Sequence, residues 1–334
     1  MRKIKEVLLK ICLFTLVCCV SLYCLSACGF YENMYEVFDA SFPYDIQYLP
    51  ESVITLLKHK NTPLQKPADT LLNSFDYYET TFASVIDSSS YISFENICIK
   101  NKTEYDINIK SLLNAKNPVT LSQGGPQVLI IHTHGSESYM PDSNNFYVPT
   151  DTYRTQDKNY NVMRVGEALR EALEKNNISV IHNADCFDYP NYSGAYGRSL
   201  DKITEILEEH PSISVIIDLH RDYLENSNGT PYRLSASING KKAAQVMLFV
   251  GSDSGGLLHK NWEKNLTFAV KLQDYMDKNY AGLARPITLT TGRYNQHISV
   301  GSLLVEFGTA ANSLDEAIYS AQIFGDVLSN VLKS

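Results

Sequence analysis

From residue 124 onwards, hydrophobic and polar positions follow two alternating patterns. Short runs of consecutive apolar residues are typical of strands buried on both faces, and they predict strands at 128–131, 178–181, 213–219, 246–250 and 302–305. Between these runs, apolar residues recur every three or four positions, which predicts amphipathic helices at 161–175, 199–209, 262–278 and from Ser313 onwards. The last helix opens with Ser313 and Glu316, which predict a capping box. Strands that alternate with helices predict an α/β domain with a largely parallel sheet flanked by helices.

Residues 29–120 lack this regularity. They are rich in Tyr, Ser, Asn and Asp, with scattered prolines, and only 91–99 and, more weakly, 106–110 alternate like strands. We therefore predict three regions: a targeting segment at 1–28, a stalk with a small lead-in element at 29–120, and a catalytic domain at 121–334.

The first 28 residues have the pattern of a targeting segment. A basic stretch precedes an uncharged apolar run over 11–27, whose length fits a cleaved signal peptide or a single membrane anchor. The residues just before Cys28 are similar to a bacterial lipobox, in which Cys28 would be acylated. The lipoprotein and the uncleaved anchor fit equally well, and either one predicts an extracytoplasmic chain that its N-terminal segment holds at the cell membrane.

Composition narrows the class of partner. The net charge is −8, and the targeting segment is itself basic, so the rest of the chain is more acidic than that value. Binding to phosphates depends on clustered Lys and Arg, so we expect no nucleic-acid partner. Of the seven cysteines, only Cys98 and Cys186 lie beyond the targeting segment, so no disulfide framework is predicted.

Polar residues with chemical capability follow three of the predicted strands. Open α/β sheets place their sites at the carboxyl ends of parallel strands. The strand at 128–131 is followed by His132, His134 and Glu137, the strand at 213–219 by His220, and the strand at 302–305 by Glu306. Three such endings in one chain predict a single site at one edge of the sheet.

We predict that His134, Glu137 and His220 bind a zinc ion. Catalytic zinc sites use three protein ligands, and two histidines with one glutamate form such a set. The alternative is that each histidine only forms hydrogen bonds at the end of its strand. In an extended segment His132 would point the same way as His134, so either could be the ligand while the other supports it or touches substrate. We favour His134, since it lies nearer to Glu137.

Glu306 is the predicted general base. Its apolar neighbours would desolvate the carboxylate and raise its pKa towards the working pH. The alternative is a structural ion pair of a buried Glu306 with Arg221 or Arg293. Arg221, next to His220, could bind a carboxylate of the substrate or simply neutralise nearby acids.

Other signals in the sequence are weaker. Five histidines stand alone, and we interpret them as surface or packing residues: His59, His182, His210, His259 and His297. The glycine-rich segment 251–256 lacks the Lys and Ser/Thr of a nucleotide-binding loop. No Gly-x-Ser-x-Gly elbow surrounds Ser136 or Ser138, which argues against serine hydrolysis.

Taken together, the strand-end motifs resemble a known family. His132-Thr-His-Gly-Ser-Glu-Ser-Tyr139, Asp218-Leu-His-Arg-Asp222 and Glu306-Phe-Gly308 resemble the stage II sporulation protein P family over about residues 120–334. The resemblance implies a fold similar to that of the zinc N-acetylmuramoyl-L-alanine amidases. It implies an outward-facing peptidoglycan hydrolase that cuts the amide between muramic acid and the stem peptide, with stem-peptide cross-links as a second candidate bond. It also implies action at the septum during engulfment, with the stage II sporulation proteins D and M as partners.

Two positions depart from the pattern of that family. Gly135 stands where we expect Thr or Asn, and Phe307-Gly-Thr309 replaces a turn similar to Val-Gly-Gly. Both departures leave the predicted ligands intact. Two further hypotheses are a wall-binding scaffold that keeps the fold and recruits partner hydrolases, and a zinc peptidase that cuts only cross-links.

Overall fold

The computed structural model describes residues 77–84, 91–147 and 153–334. Eight strands form the main sheet: β2 (Tyr91–Phe94), β3 (Ile97–Asn101), β4 (Val128–Ile131), β5 (Val180–His182), β6 (Val215–Asp222), β9 (Val246–Gly251), β10 (Ile287–Thr290) and β11 (Gly301–Thr309). Their order is β2-β3-β10-β9-β11-β6-β4-β5. Only the pairs β2–β3 and β9–β11 are antiparallel. The prediction of a largely parallel sheet is confirmed.

A second, three-stranded sheet has the order β1-β7-β8. Its strands are β1 (Tyr78–Thr80), β7 (Tyr232–Ile238) and β8 (Lys241–Ala244). Asn239 and Gly240 join the last two strands, and both have positive φ. This is the sequence and the geometry of a type I′ hairpin turn, which the sequence analysis did not identify.

Helices cover both faces of the main sheet. They are α1 (Ile109–Asn114), α2 (Val162–Lys175), α3 (Ala195–Glu209), α4 (Trp262–Asn279) and α5 (Leu314–Lys333). Helices α2, α4 and α5 share the larger core with Val215, Ile217 and Leu219 of β6, whereas α3 packs on Ile216 of the same strand. Because successive side chains of a strand point to opposite faces, α3 lies across the sheet from the other three.

Local capping explains where two of these helices begin. The side chain of Ser313 accepts a bond from the Glu316 amide, and the Glu316 carboxylate accepts one from the Ser313 amide, so the predicted capping box is confirmed. The predicted strand at 106–110 is wrong, because the Asn108 side chain accepts from the Ser111 amide and starts helix α1. The predicted strand at 91–99 is the hairpin of β2 and β3.

The three predicted regions meet the described residues only in part. The segment 1–28, including Cys28, and most of the predicted stalk lie outside them. Strand β3 pairs with β10, so part of the predicted lead-in element belongs to the main sheet, and the boundary at 120 stays a prediction. Among the described residues, no helix has both the length and the apolar character needed to cross a membrane.

A bulge interrupts the end of β11. The pairing with β6 shifts between Glu306 and Thr309, and Gly308 has a φ of 70°. A side chain at Gly308 would place its Cβ 2.6 Å from Asn312 Oδ1, so both the conformation and the space favour glycine. The bulge lies directly beyond the predicted general base.

Candidate functional site

Three neighbouring strands bring the candidate residues to one edge of the sheet. Strands β11, β6 and β4 are adjacent and parallel, so they end at the same edge. Glu306 lies opposite His220 in this register, and Ile131, the last residue of β4, lies opposite Asp218. The loop after β4 then brings His134 next to His220, with 5.4 Å between the ring centroids.

His220 lies between two carboxylates. Its Nδ1 is 3.3 Å from Glu137 Oε2, and its Nε2 is 2.9 Å from Asp218 Oδ1. The Asp218 contact is at ion-pair distance but lacks the angle of a hydrogen bond. Burial opposes a charge on this ring, but the two carboxylates outweigh burial and raise the pKa of His220 well above its usual value. In the metal-free protein the two acids therefore favour a proton on this ring, and a metal ion would have to displace that proton in order to bind here.

Asp218 is itself fixed by the loop after β4. Its two carboxylate oxygens accept bonds from the amide and the hydroxyl of Thr133, at 2.8 and 2.7 Å. The end of β4 thus holds the acid that contacts His220, which couples the positions of the two strand ends.

The His134 side chain is buried but only partly satisfied. Its Nδ1 has no hydrogen-bond partner and is 3.9 Å from Asp188 Oδ2. The ring of Tyr192 stacks on it at a centroid distance of 4.4 Å, and the Tyr196 ring meets it edge-on. Burial first, and then the neighbouring His220, lower the pKa of His134. His134 is therefore a neutral imidazole, the form in which histidine binds metals.

The carboxylate of Glu137 is surrounded by positive groups. Arg221 donates its backbone amide to Glu137 Oε2 at 3.2 Å, and Arg154 Nη2 is 3.6 Å from Oε1. Burial alone would raise the pKa of Glu137, but Arg221 and His220 lower it to about 2. The Arg221 guanidinium is buried and donates to the carbonyl oxygens of Ser138 and Tyr153. Arg221 Nη1 also lies 3.9 Å from Glu137 Oε1, and the choice between binding a substrate carboxylate and neutralising acids stays a prediction.

Glu306 has the environment expected of an acid with a raised pKa. Its Oε2 is buried without a hydrogen-bond partner. Burial, and then the nearby Asp222 carboxylate, raise the pKa of Glu306 to about 8. Neither Arg221 nor Arg293 forms a salt bridge with it: Arg221 contacts Glu137, and Arg293 donates to the Leu258 carbonyl. The alternative of a structural ion pair with these arginines is wrong.

His132 points away from His134, contrary to the expectation for an extended segment. Its Nδ1 is 3.0 Å from the Leu219 carbonyl oxygen and its Nε2 is 2.9 Å from His182 Nε2. The chain leaves the strand at His132 and turns from Thr133 onwards, so the two side chains diverge. Both ring nitrogens of His132 have partners within the protein, whereas those of His134 do not.

Two residues of this site were not identified from the sequence. The Asp188 side chain is buried and accepts bonds from Ser136 Oγ at 2.6 Å and from Arg154 Nη1 at 2.6 Å. The guanidinium of Arg154 also lies 5.2 Å from the centroid of the Tyr192 ring. Both residues lie in irregular segments outside the strands and helices, where no periodic pattern marks them. Only the folded chain brings them to the strand ends.

The residues can be tested against a zinc ion. Within the part of the chain that the structure describes, no group of three His, Cys, Asp or Glu side chains is arranged closely enough to hold a metal. The donor types nevertheless suit zinc, and Glu137 Oε2 and His220 Nδ1 are 3.3 Å apart. Two ligand atoms of a tetrahedral zinc site are separated by about 3.3 Å, given zinc–ligand bonds of about 2.0–2.1 Å. His134 Nδ1 is unpartnered next to this pair.

Solved structures with similarity to this chain are N-acetylmuramoyl-L-alanine amidases. AmiC2 of Nostoc punctiforme is 13% identical with a TM-score of 0.37, and the match covers 64% of this chain and 97% of that one. The CwlD amidase from Clostridioides difficile, solved in complex with the GerS lipoprotein, is 15% identical with a TM-score of 0.38, covering 62% and 97%. At these TM-scores, we base no argument on the similarity.

The sequence comparisons are more specific. The chain is 31% identical over 228 residues to the stage II sporulation protein P of Bacillus subtilis (strain 168), which covers 65% of this chain and 54% of that protein. The chain thus spans about half the length of the curated relative it matches. Residues 50–329 match the family Stage II sporulation protein P (SpoIIP), which is most of the sequence. The chain belongs to the stage II sporulation protein P family.

Proposed function

We propose that this protein is a zinc-dependent peptidoglycan hydrolase that cuts the amide between N-acetylmuramic acid and the L-alanine of the stem peptide. The proposal is carried by one observation, the meeting of two imidazoles and two carboxylates at one sheet edge: His134, His220, Glu137 and Glu306. Membership in the stage II sporulation protein P family supports a role in sporulation. Stem-peptide cross-links are the second candidate bond.

His134, Glu137 and His220 would hold the zinc ion. When bound there, zinc would act as a Lewis acid towards the amide carbonyl. On His220, the Asp218 carboxylate lies 2.9 Å from Nε2, the ring nitrogen opposite the one that faces Glu137. Such partners fix the orientation and tautomer of a ligand histidine. In the proposed site Arg221 balances the charge of Glu137, and His132 supports the segment that carries His134.

Glu306 supplies the acid–base chemistry. With its pKa raised to about 8, the carboxyl group titrates close to neutral pH, so its ionised form can accept a proton from the attacking water and then give it up to the departing amine nitrogen. Its position opposite His220 in the register places it beside the proposed ligands. The bare Oε2 has no competing partner that would have to be displaced before it takes a proton.

The cellular setting is also a proposal. The N-terminal segment would hold the catalytic part outside the cytoplasm, at the membrane surface next to the wall. The protein would act on septal peptidoglycan during engulfment, with the stage II sporulation proteins D and M as partners. These statements rest on family membership and on the sequence of the first 28 residues.

A digest of purified peptidoglycan by the detergent-solubilised full chain tests the reaction. We expect the zinc-loaded protein to release free stem peptides that begin with L-alanine, and we expect a chelator to stop this release. Mass spectrometry of the products identifies the bond, because cleavage of cross-links would instead convert dimeric peptides into monomers. A metal assay on the same sample reports whether zinc is bound.

The second candidate function is a wall-binding scaffold. It is favoured by the direct contact of Glu137 with His220 and by the absence, among the residues described, of a closed three-ligand group. Binding to sacculi without cleavage of any bond by the zinc-loaded protein would support the scaffold and contradict the hydrolase.

A further inference from the structure

A chain of side chains links the end of β4 to the outer surface of helix α2. From the Leu219 carbonyl oxygen it passes to His132 at 3.0 Å, then to His182 at 2.9 Å between the two Nε2 atoms. From His182 Nδ1 it continues to Glu167 Oε2 at 3.2 Å. We call Leu219, His132, His182 and Glu167 the histidine chain. The mechanism proposed above uses neither His182 nor Glu167.

The positions of the hydrogens follow from the atoms that meet. A carbonyl oxygen only accepts, so His132 Nδ1 must carry the hydrogen that bonds Leu219. The two Nε2 atoms are 2.9 Å apart, so one hydrogen lies between the two rings. A His132 ring whose own hydrogen is on Nδ1 accepts this bond at Nε2.

The third bond then requires a second hydrogen on His182. Arg170 binds both oxygens of Glu167 and, together with His182, lowers the pKa of Glu167 to about 2, so this carboxylate is ionised and only accepts. His182 Nδ1 must therefore donate to it. The three bonds together need three hydrogens on the two rings, one on each Nδ1 and one between the Nε2 atoms. Burial lowers the pKa of His182 and the positive charges of Arg170 and Lys158 act in the same direction, whereas Glu167 opposes them, so the third hydrogen depends on the contact with Glu167.

Helix α2 makes room for the two rings at a glycine. A Cβ on Gly166 would lie 2.6 Å from His132 Nε2 and 2.7 Å from His182 Nε2. Glycine in a helix interior costs about 0.5–1 kcal/mol relative to alanine. The position of Gly166 thus fits a close approach of the helix to the bonded ring pair.

The other end of the histidine chain lies at the candidate site. Backbone pairing of β4 with β6 ends at Ile131 and Asp218, and the His132 bond to Leu219 continues the link one residue further. Thr133 then holds Asp218, and His134 follows. The histidine chain therefore braces the segment that delivers His134 to its place beside His220.

We propose that His182 and Glu167 are positioning residues, which hold His132 in its Nδ1–H form and thereby fix the segment 132–134 against β6. The inference rests on the proposed function only for its activity readout. The arrangement of hydrogens on the two rings can be measured without any substrate.

Nitrogen NMR of the detergent-solubilised full chain, labelled with ¹⁵N in its histidines, tests the hydrogen arrangement. In the metal-free protein at neutral pH, we expect a hydrogen on Nδ1 of both rings and one further hydrogen shared by their two Nε2 atoms. Assignment uses the variants His132→Gln and His182→Gln, which each remove one set of signals. A His132 ring with its hydrogen on Nε2 would overturn the proposal.

Variants of the outer residues test the positioning role. His182→Gln keeps an amide nitrogen that can donate to His132, so we expect near-normal digestion of peptidoglycan, whereas His182→Phe leaves His132 Nε2 unpaired and should reduce the rate about tenfold. Glu167→Gln can donate to His182 Nδ1, so we expect that nitrogen to lose its hydrogen while His132 keeps the hydrogen on Nδ1. Glu174→Gln is the matched control, since Glu174 also pairs with Arg170 but does not touch His182.

The outcomes separate this inference from the proposed function. If the wild-type protein digests nothing but shows the expected ring signals, the hydrolase proposal fails and the histidine chain stands. If the protein is active and His182→Phe matches His182→Gln in rate and in the His132 signals, the positioning role is wrong. If His182→Phe folds poorly, the comparison of Glu167→Gln with Glu174→Gln decides. Identical His182 signals in those two variants would also contradict the proposal.

Discussion

His132 and His134 are two residues apart but belong to opposite kinds of environment. Both ring nitrogens of His132 are bonded within the histidine chain, and its pKa is lowered to about 3. Around His134, polar atoms are buried and bare: its own Nδ1 and Glu306 Oε2 have no partners. Buried polar atoms are costly when unpaired, so a cluster of them indicates a place kept ready for a ligand. An imidazole whose two ring nitrogens both have partners within the protein instead indicates a structural role.

The largest effect on activity is expected from substitution of Glu306, whose Oε2 is buried without a hydrogen-bond partner. Glu306→Gln keeps the size of the side chain and removes its ability to take a proton, so the rate of peptidoglycan digestion should fall by about 10²–10⁴-fold. Zinc content and thermal unfolding should stay unchanged. Glu225→Gln is the control, because that carboxylate is exposed and bonded only to Tyr223. Full activity of Glu306→Gln would remove the proposed mechanism.

The two histidines should respond in opposite ways to the same substitution. His134→Asn removes a proposed ligand, so we expect zinc affinity to fall by more than about 100-fold, which exceeds the usual effect of changing a residue that only supports a ligand. His132→Asn breaks the histidine chain, so we expect a loss of about 1–3 kcal/mol in the free energy of unfolding. Competition with a zinc chelator and urea unfolding measure the two quantities. Equal effects of both variants in both assays would contradict the distinction between His134 as a ligand and His132 as a structural residue.

Two helical glycines offer a matched pair. Gly166→Ala would force a methyl group against the rings of His132 and His182, and overpacking of this kind costs about 1–3 kcal/mol of stability. Gly197 in α3 has open space where its Cβ would lie, so Gly197→Ala should stabilise the protein by about 0.4–1 kcal/mol. Urea unfolding of both variants checks the sign. Stabilisation by Gly166→Ala would show that helix and ring pair are not tightly packed.

The smallest effect concerns a carboxyl with a raised pKa outside the site. Burial, and then the nearby Asp274, raise the pKa of Asp277 to about 6. The folded state then binds the proton more tightly than the unfolded state, so stability falls as the pH rises from about 4 to about 6. Asp277→Asn should remove this loss and add less than about 1 kcal/mol at pH 7, since the side chain keeps some contact with water. Unchanged peptidoglycan digestion would show that a raised pKa alone does not define a catalytic acid.

Much of the fold follows from local patterns. The buried strand 128–131 has the predicted bounds, and the capping box at Ser313 forms as expected, because both depend on residues close together in the chain. The β7–β8 hairpin and β10 are missing from the prediction, since their half-polar segments show no clean period. The Asn239-Gly240 turn was nevertheless a readable signal.

The candidate site divides in the same way. Residues at the ends of buried strands could be selected from the sequence, because the strands themselves are visible there. Asp188 and His182 could not, since their roles depend on partners that fold against them from distant segments: Ser136, Arg154, His132 and Glu167. His182, interpreted from the sequence as a surface or packing residue, is a member of the histidine chain. The direction of the His132 side chain depends on the turn that begins at Thr133, and no residue pattern marks where that turn begins.

The bulge at Gly308 makes the length of this segment as important as its composition. It lets Glu306 remain opposite His220 while Thr309, three residues on, pairs with Asp222. In a strand the side chains alternate between the two faces, so a one-residue deletion that slipped this register would send the acid to the far side of the sheet. Insertions and deletions should therefore be far more harmful here than conservative exchanges of side chains.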